Sequence, residues 1–404
     1  MSKSIIIIGG GAAGFFAAIN CAKKNPSYLV TILEKSSSVL SKVKISGGGR
    51  CNVTHACFDA KELAKHYPRG EKQLLGAFTK FNPSNTIDWF EQRGVEIKRE
   101  DDGRMFPVSD SSQTIIDCFL SEAKEAGVVV RMQTGVEKLS ITNNQLSIHT
   151  STNETLLADA VIVTTGSSHN VWTLLEKLGH KVIAPVPSLF TFNVNDERIE
   201  GLQGLAVQEA AVKICNSKSA FNIPPSALLI THTGLSGPAI LRLSAWGARE
   251  LASVNHQFEI EVNWVNKDLN AVKETFKFFR QNHPKKNVAS NSLFSVPKRL
   301  WERITTLNLQ SATLNFADLS NQQIESLGRE LTVARFKVSG KSTFKDEFVT
   351  AGGVDLAEVD FRTMQSKIVP NLYFAGEVLD VDAITGGFNF QAAWTTAFIA
   401  SQTI

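Results

Sequence analysis

The chain opens on a pattern that leaves few folds available: Ile5 to Ile8 run straight into Gly9-Gly10-Gly11-Ala12-Ala13-Gly14, and an Ala-rich segment follows to about Asn25. An apolar run closed by glycines and followed by helical composition reads as strand, tight turn and helix. The glycines fit G-x-G-x-x-G in the context that gives the pattern meaning. Gly9 permits the turn, Gly11 lets the backbone approach a pyrophosphate, and Gly14 allows close packing of helix on strand. The helix start at Ala12 and Ala13 supplies amide donors and the positive end of a dipole. A second β-branched run, Leu29 to Leu33, ends at Glu34 and Lys35, and Glu34 lies 20 residues beyond Gly14 (34 − 14), where a carboxylate accepts bonds from ribose hydroxyls. A parallel βαβ unit for an adenine dinucleotide is the expectation. The pattern alone does not separate NAD from FAD, and a glycine-rich turn without a ligand is the alternative it leaves open.

With 404 residues, 43% of them hydrophobic, the chain exceeds what one core organises, so two or three domains are expected. Helices are expected over Asn85–Arg93 and Ser111–Ala126, and strands over Val128–Met132 and Ala160–Thr164, which makes the first 165 or so residues α/β. From about Pro185 the texture changes to short β-rich runs, Phe190–Asn193, Ala210–Cys215 and Phe258–Val262, separated by Gly, Asn and Pro. Amphipathic stretches at Leu269–Gln281 and Pro297–Leu307 then suggest a helical insertion, after which Leu331–Val338 and Phe348-Val349-Thr350 return to strand character. Leu372–Phe374 enters a Gly-rich loop and a final helix from about Phe390, so the C-terminus reads as the other half of the first domain.

Two further strings bear on the ligand. Tyr373-Phe374-Ala375-Gly376-Glu377-Val378-Leu379-Asp380, followed by Gly386-Gly387-Phe388-Asn389, is a strand entering a Gly-acid turn and then glycines before a helix. That arrangement resembles the second FAD fingerprint of flavoproteins with two dinucleotide-binding domains, with Gly386 and Gly387 allowing close approach to the flavin. Ser46-Gly47-Gly48-Gly49-Arg50-Cys51-Asn52 makes a donor-rich loop suited to phosphate or flavin contact, and Lys42 adds a positive charge nearby. Together with Thr231-His232-Thr233-Gly234-Leu235-Ser236-Gly237-Pro238, these strings make nearly the whole chain resemble the YhiN/BaiN-like family of FAD-dependent oxidoreductases.

The resemblance implies an α/β fold: a Rossmann-type FAD-binding domain from residues 1–187 and 340–404, a β-rich domain from 188–265 and 328–339, and a helical insertion at 266–327. By motif match it implies FAD contacts at Gly9, Gly11, Gly14, Glu34, Ser46, Gly47, Arg50, Asn52, Gly376, Glu377, Gly387 and Asn389, and Gly49, Asp380, Gly386 and Phe388 stand in the same strings. Val136 falls where the class touches adenine with main chain, and Thr165-Gly166 where it has an A-T-G strand end, here with Thr164 for the alanine. His55 stands where the family usually has Asn, and Ala383 where it usually has Gly.

Cys51 and His232 are the chemically capable side chains of these strings. Either is placed to protonate a carbon next to one that receives hydride from a flavin, and His232 can instead hydrogen-bond a carbonyl. Packing is the competing role for Cys51, and a satisfied structural imidazole the competing role for His232. Reported activities of the family include reduction of unsaturated steroid-type acids and of uridine in ribosomal RNA to dihydrouridine. Both substrates present an electron-poor alkene. An FAD-dependent amine oxidase is the enzymatic alternative, and an RNA-binding flavoprotein the non-enzymatic one. No second G-x-G-x-x-G follows a strand in a separate domain, so a nicotinamide donor, NADH or NADPH, is expected to visit the flavin only transiently.

A formal net charge of +3 is too mild to make the whole chain a nucleic-acid binder, yet the charge is uneven. Between Lys267 and Arg303 nine basic residues face three acidic ones, a segment of +6 that leaves −3 for the rest. Trp264, Phe276, Phe278, Phe279 and Trp301 lie in or beside it, either as a base-stacking surface or as the core of the helices. Structured RNA is the partner expected there, with a solvated basic face as the alternative. The five cysteines are scattered with no C-x-x-C spacing, so no metal is expected and a reducing, cytoplasmic setting fits. The apolar stretch near the N-terminus is too short for a signal-peptide core, and no membrane span is expected.

Overall fold

The computed structural model describes residues 2–142, 145–217, 219, 221, 223–342 and 349–404. The chain divides into two compact units, one built from Met1–Val186 with Lys345–Ile404 and the other from Pro187–Phe344.

In the first unit the isoleucine run becomes a central strand, β1 (Ser4–Ile8), followed by α1 (Ala12–Lys24) and β2 (Leu29–Leu33). Ile5 to Ile8 are all buried because β1 is covered on both faces, which is why the run does not alternate with polar residues. Across the sheet the strands lie in the order Val359–Asp360, Gln365–Ser366, Leu372–Phe374, Ala160–Val163, β1, β2, Val129–Arg131. β1 pairs in parallel with β2 and with Ala160–Val163, and the latter pairs in parallel with Leu372–Phe374 in the register Val161↔Leu372. A C-terminal strand thus completes an N-terminal sheet. The last helix, Phe388–Thr403, is apolar almost all round and buried along most of its length, packed against α1. Phe348 lies outside the described residues; Val349–Val354 is a strand.

The second unit has a seven-stranded sheet in the order Ala334–Val338, Phe258–Asn263, Ala206–Ile214, Ser226–Ile230, Gly234–Ser236, Thr191–Asn193, Gly340–Ser342. Helices Leu269–Asn282, Lys298–Leu309 and Asn321–Thr332 share one hydrophobic core with it, in which Phe276, Trp301 and Leu327 sit with Ile260 and Phe336. Strand character expected from Leu331 begins only at Ala334, since helix Asn321–Thr332 runs through Leu331. Its start is fixed by a capping box, Ser320 Oγ accepting from Gln323 N and Gln323 Oε1 accepting from Ser320 N. Ile324, Leu327 and Leu331 then keep helical spacing on the buried side. Trp264, Phe276 and Trp301 are core residues, which removes them from any base-stacking surface.

Candidate functional site

The glycines of the first turn divide by what surrounds them. A Cβ on Gly14 would lie 2.0 Å from the Gly9 carbonyl oxygen, and one on Gly9, at φ +111°, would lie 2.8 Å from the Thr164 carbonyl oxygen. The fold itself requires both. Gly11 differs: it caps α1 at φ −90° without a side-chain cap, and a Cβ there would meet nothing within 4 Å. Open space therefore faces the first-turn amides of α1, beginning at Ala12 and Ala13, which have no intrahelical acceptor. Glu34 closes one side of this space. Its Oε2 accepts from Gly10 N at 2.8 Å and its Oε1 from Ser36 N at 2.9 Å and Ser36 Oγ at 2.6 Å, leaving Oε2 room for one further donor such as a ribose hydroxyl. Thr134 N donates to the Glu34 carbonyl at 2.8 Å, which brings Val136 to the same end of the sheet, and a Cβ on Gly135 would lie 3.5 Å from that of Lys35.

At the opposite edge, Thr164 Oγ1 donates to the carbonyls of Ile8 and Gly9 at 2.9 Å, a pairing that sequence inspection did not single out. Beside it, Thr165 Oγ1 is buried and has no hydrogen-bond partner among the described residues. An unsatisfied buried hydroxyl costs about 1–3 kcal/mol unless something meets it. Gly166, at φ +59°, approaches the Glu377 carboxylate. These features, an open helix start, a carboxylate at the end of β2 and an orphaned hydroxyl, fit an adenine dinucleotide laid across the strand ends.

The C-terminal string meets this turn directly. A Cβ on Gly376 would lie 3.1 Å from that of Ala13, and Gly376 N donates to Thr396 Oγ1 at 3.0 Å. Glu377 pairs with Lys42 at 2.9 Å, and Asp380 N donates to the Val354 carbonyl at 3.1 Å. Gly387 caps the last helix at φ +89°, where a Cβ would lie 2.5 Å from the Thr54 carbonyl oxygen. Gly386 approaches the Phe388 ring, which stacks on His55 and His66 at 4.6 and 4.2 Å. Asn389 is engaged within the protein, its Oδ1 accepting from Ala383 N at 2.9 Å. Gln391 was not anticipated from sequence. Its Oε1 accepts from both Thr54 and Thr86 and ties the last helix to the loop that carries Asn52.

In that loop Ser46 leaves helical geometry at ψ 147°, and Gly47, Gly48 and Gly49 all have positive φ. A Cβ on Gly47 would lie 2.9 Å from Asn52 N, whereas Gly48 and Gly49 face open space. Arg50 does not offer its charge to that space. Its Nη1 pairs with Glu100 at 2.6 Å and Asp110 at 3.4 Å, and its guanidinium lies 3.9 Å over the Phe106 ring. Asn52 Oδ1 accepts from Met105 N at 3.3 Å. Cys51 adopts φ +61° and is fully buried, and burial pushes its thiol up to about 12 despite a bond with Ser46. His232 is exposed, in a bend of the second unit between Ser226–Ile230 and Gly234–Ser236.

A family model described as HI0933-like protein Rossmann domain matches residues 3–403, the whole span over which these features are distributed. The chain belongs to the HI0933-like family. It is an FAD-dependent oxidoreductase. A ribosomal RNA dihydrouridine synthase of Escherichia coli (strain K12) is 30% identical over 98% of this chain and 96% of its own length. A 3-dehydro-bile acid delta(4,6)-reductase of Clostridium scindens is 26% identical over 98% of this chain and 97% of its own. Among solved structures, a 3-ketosteroid-delta4-(5alpha)-dehydrogenase from Rhodococcus jostii RHA1 aligns with a TM-score of 0.52 at 12% identity, covering 99% of this chain and 97% of that one, which is a likeness of fold. Gly11, Glu34, Thr165 and Gly376 lie around one turn of this HI0933-like chain. Among the described residues no helix is long and apolar enough to cross a membrane.

Proposed function

We infer that this protein reduces a carbon-carbon double bond conjugated to a carbonyl, and that its favoured substrate is uridine in ribosomal RNA, giving dihydrouridine. The observation that carries the substrate is the 30% identity, over nearly the full length of both chains, to a protein named for that reaction. FAD when bound supplies two-electron redox chemistry. The chain's own residues would hold it: the α1 amides behind Gly11 for the pyrophosphate, Glu34 for the ribose, and the Gly376 and Gly387 turns for the flavin end. Reduction of the alkene takes up two electrons and two protons, and the electrons come from NADH or NADPH visiting the flavin face.

Of the two side chains proposed to deliver a proton, His232 meets the requirement for access. Cys51 is enclosed by protein, and burial that pushes its thiol up to about 12 makes it a weak proton donor. We therefore propose His232 as the donor and Cys51 as the packing residue that holds the Gly47–Asn52 turn.

Charge supports a polyanionic substrate. Of the nine cations between Lys267 and Arg303, Lys273 and Lys277 are paired with Glu325 and Glu274. Arg280, Arg299 and Arg303 donate to the carbonyls of Leu319, Gly201 and Glu197. Lys267, Lys285, Lys286 and Lys298 are exposed without ion partners among the described residues. The bile-acid reductase relative favours a second reading, a small unsaturated steroid-type substrate. Photoreduced holoprotein mixed with an enone, a ribosomal RNA fragment or oxygen decides between them. Reoxidation by the RNA with dihydrouridine formed in it supports the first reading, and rapid turnover of the enone alone rejects it.

A further inference from the structure

Helix Leu269–Asn282 carries a residue for which the fold has no use. The helix turns Val272 and Phe276 into the core of the second unit, with Phe279 half-buried against the Phe316 ring at 5.2 Å. At about 100° per residue, a position two beyond Phe276 points away from that core. Phe278 stands there and is 54% exposed. A large aromatic ring in water contributes nothing to folding, and a polar residue at this position would serve the helix equally well.

The surroundings of Phe278 are specific. Its ring makes only steep contacts, at 71° to Phe279 and 72° to His283, so no ring among the described residues is stacked on it. The chain leaves the helix at His283 and turns back, Lys286 N donating to the His283 carbonyl at 3.0 Å. Lys285 and Lys286 in this turn are exposed. The nearby carboxylates are engaged elsewhere. Glu274 pairs with Lys277 at 2.7 Å, and Asp318 accepts from Asn315 N at 3.0 Å. An open aromatic face against His283, where the chain turns back into two exposed lysines without ion partners among the described residues, suits an unpaired nucleotide, because every base has a π-face to stack and every nucleotide a phosphate to neutralise. A protein partner would want apolar neighbours around Phe278, and the exposed residues that follow it are Gln281, Asn282, Lys285 and Lys286, with Pro284 the one apolar residue among them.

We propose that the end of helix Leu269–Asn282 is an RNA contact in which Phe278 stacks on an unpaired base while Lys285 and Lys286 hold the flanking phosphates. This rests on the RNA reading above. Stacking and charge leave different signatures, so two variants separate them. Phe278→Ala should weaken binding about 5- to 150-fold and leave the salt dependence unchanged. The double variant K285A/K286A should reduce the slope of log affinity against log salt by about 1.4, the single-strand value for two phosphates. Phe278→Trp, which keeps a stacking face, should bind like wild type.

The experiment uses full-length holoprotein and two labelled RNAs, a hairpin with a uridine-containing loop and a fully paired duplex of matching length. FAD content and melting temperature are measured on every variant, and should not change because these side chains lie on the surface. Loss of the preference for hairpin over duplex in Phe278→Ala, and its retention in Phe278→Trp, is the expected result. Equal hairpin affinity and equal dihydrouridine formation in wild type and both variants would overturn the assignment of this surface and leave the RNA reading standing. Absence of RNA binding by wild type that still reduces an enone would overturn both.

Discussion

Gly11 and Gly14 are three residues apart, and replacing each by alanine should have opposite consequences. At Gly14 the new Cβ would lie 2.0 Å from the Gly9 carbonyl oxygen, a backbone atom that no side-chain rotation can clear. Overpacking of this kind typically costs about 1–3 kcal/mol and more when the backbone must shift, so about 3 kcal/mol is expected. A domain of this size loses about 2–4 °C per kcal/mol, which places the apoprotein melting point about 6–12 °C lower. At Gly11 the Cβ meets nothing, and φ −90° is open to alanine. Reduced unfolded-state entropy favours Gly11→Ala by about 0.4–1 kcal/mol, while loss of a helix-capping glycine opposes it by a similar amount. The apoprotein should therefore melt within about 2 °C of wild type. The methyl group does occupy the space in front of the first-turn amides. If the pyrophosphate lies there, binding pays the overpacking cost, and the Kd for FAD should rise about 5- to 150-fold. Flavin fluorescence quenching on reconstituted apoprotein measures the Kd, and calorimetry of the same samples measures melting. Wild-type FAD affinity in Gly11→Ala would refute the placement of the cofactor over this turn, whatever the behaviour of Gly14→Ala.

His232→Ala should slow reduction of substrate about 10²-fold or more, whereas Cys51→Ala should keep turnover within a few-fold; the reverse pattern in single-turnover kinetics returns the proton to Cys51. Asp382→Asn should destabilise the protein by about 3 kcal/mol in urea titrations, because Arg69 and Asp382 form a buried ion pair and the substitution removes one of its two charges. Burial holds His180 below its ordinary 6.5 against the opposing pull of Glu358, so the folded state binds fewer protons than the unfolded one. That stability is fully present above pH 6.5 and is lost as pH falls from there toward the folded value; a His180→Gln variant with an unchanged melting-versus-pH slope would show that another group is responsible.

Sequence spacing revealed what local backbone geometry dictates. Gly9, Gly14 and Gly387 are each positions where a Cβ would strike a main-chain oxygen, so the need for glycine there is carried by one short string and could be read from it. Partners chosen by the folded chain were not. Arg50 reads as a donor for phosphate, yet Glu100 and Asp110, 50 and 60 positions away, occupy it. Lys42 is likewise met by Glu377, 335 positions distant. Leu331-Thr332-Val333 has β-forming composition, but the capping box at Ser320 had already set a helical phase that buries Leu331.

A tertiary arrangement also produces a constellation whose chemistry has to be judged from its bonds. His180 Nδ1 meets Glu358 at 2.9 Å and its Nε2 meets Ser366 Oγ at 2.9 Å, the order of groups found in Ser-His-acid hydrolases. A nucleophilic hydroxyl must be reachable and must have its lone pairs free to attack. Ser366 is buried, and its Oγ accepts from the amides of Ile368 at 3.0 Å and Val369 at 2.8 Å. Its lone pairs are thereby committed and its proton is directed at His180 Nε2, which fixes the neutral imidazole with its one N–H, on Nδ1, donated to Glu358. Lys181 N donates to the same Glu358 oxygen at 3.0 Å. These bonds tie the segment after helix His169–Lys177 to the antiparallel edge of the parallel sheet, so the three residues act as a brace for the strand that delivers Gly376.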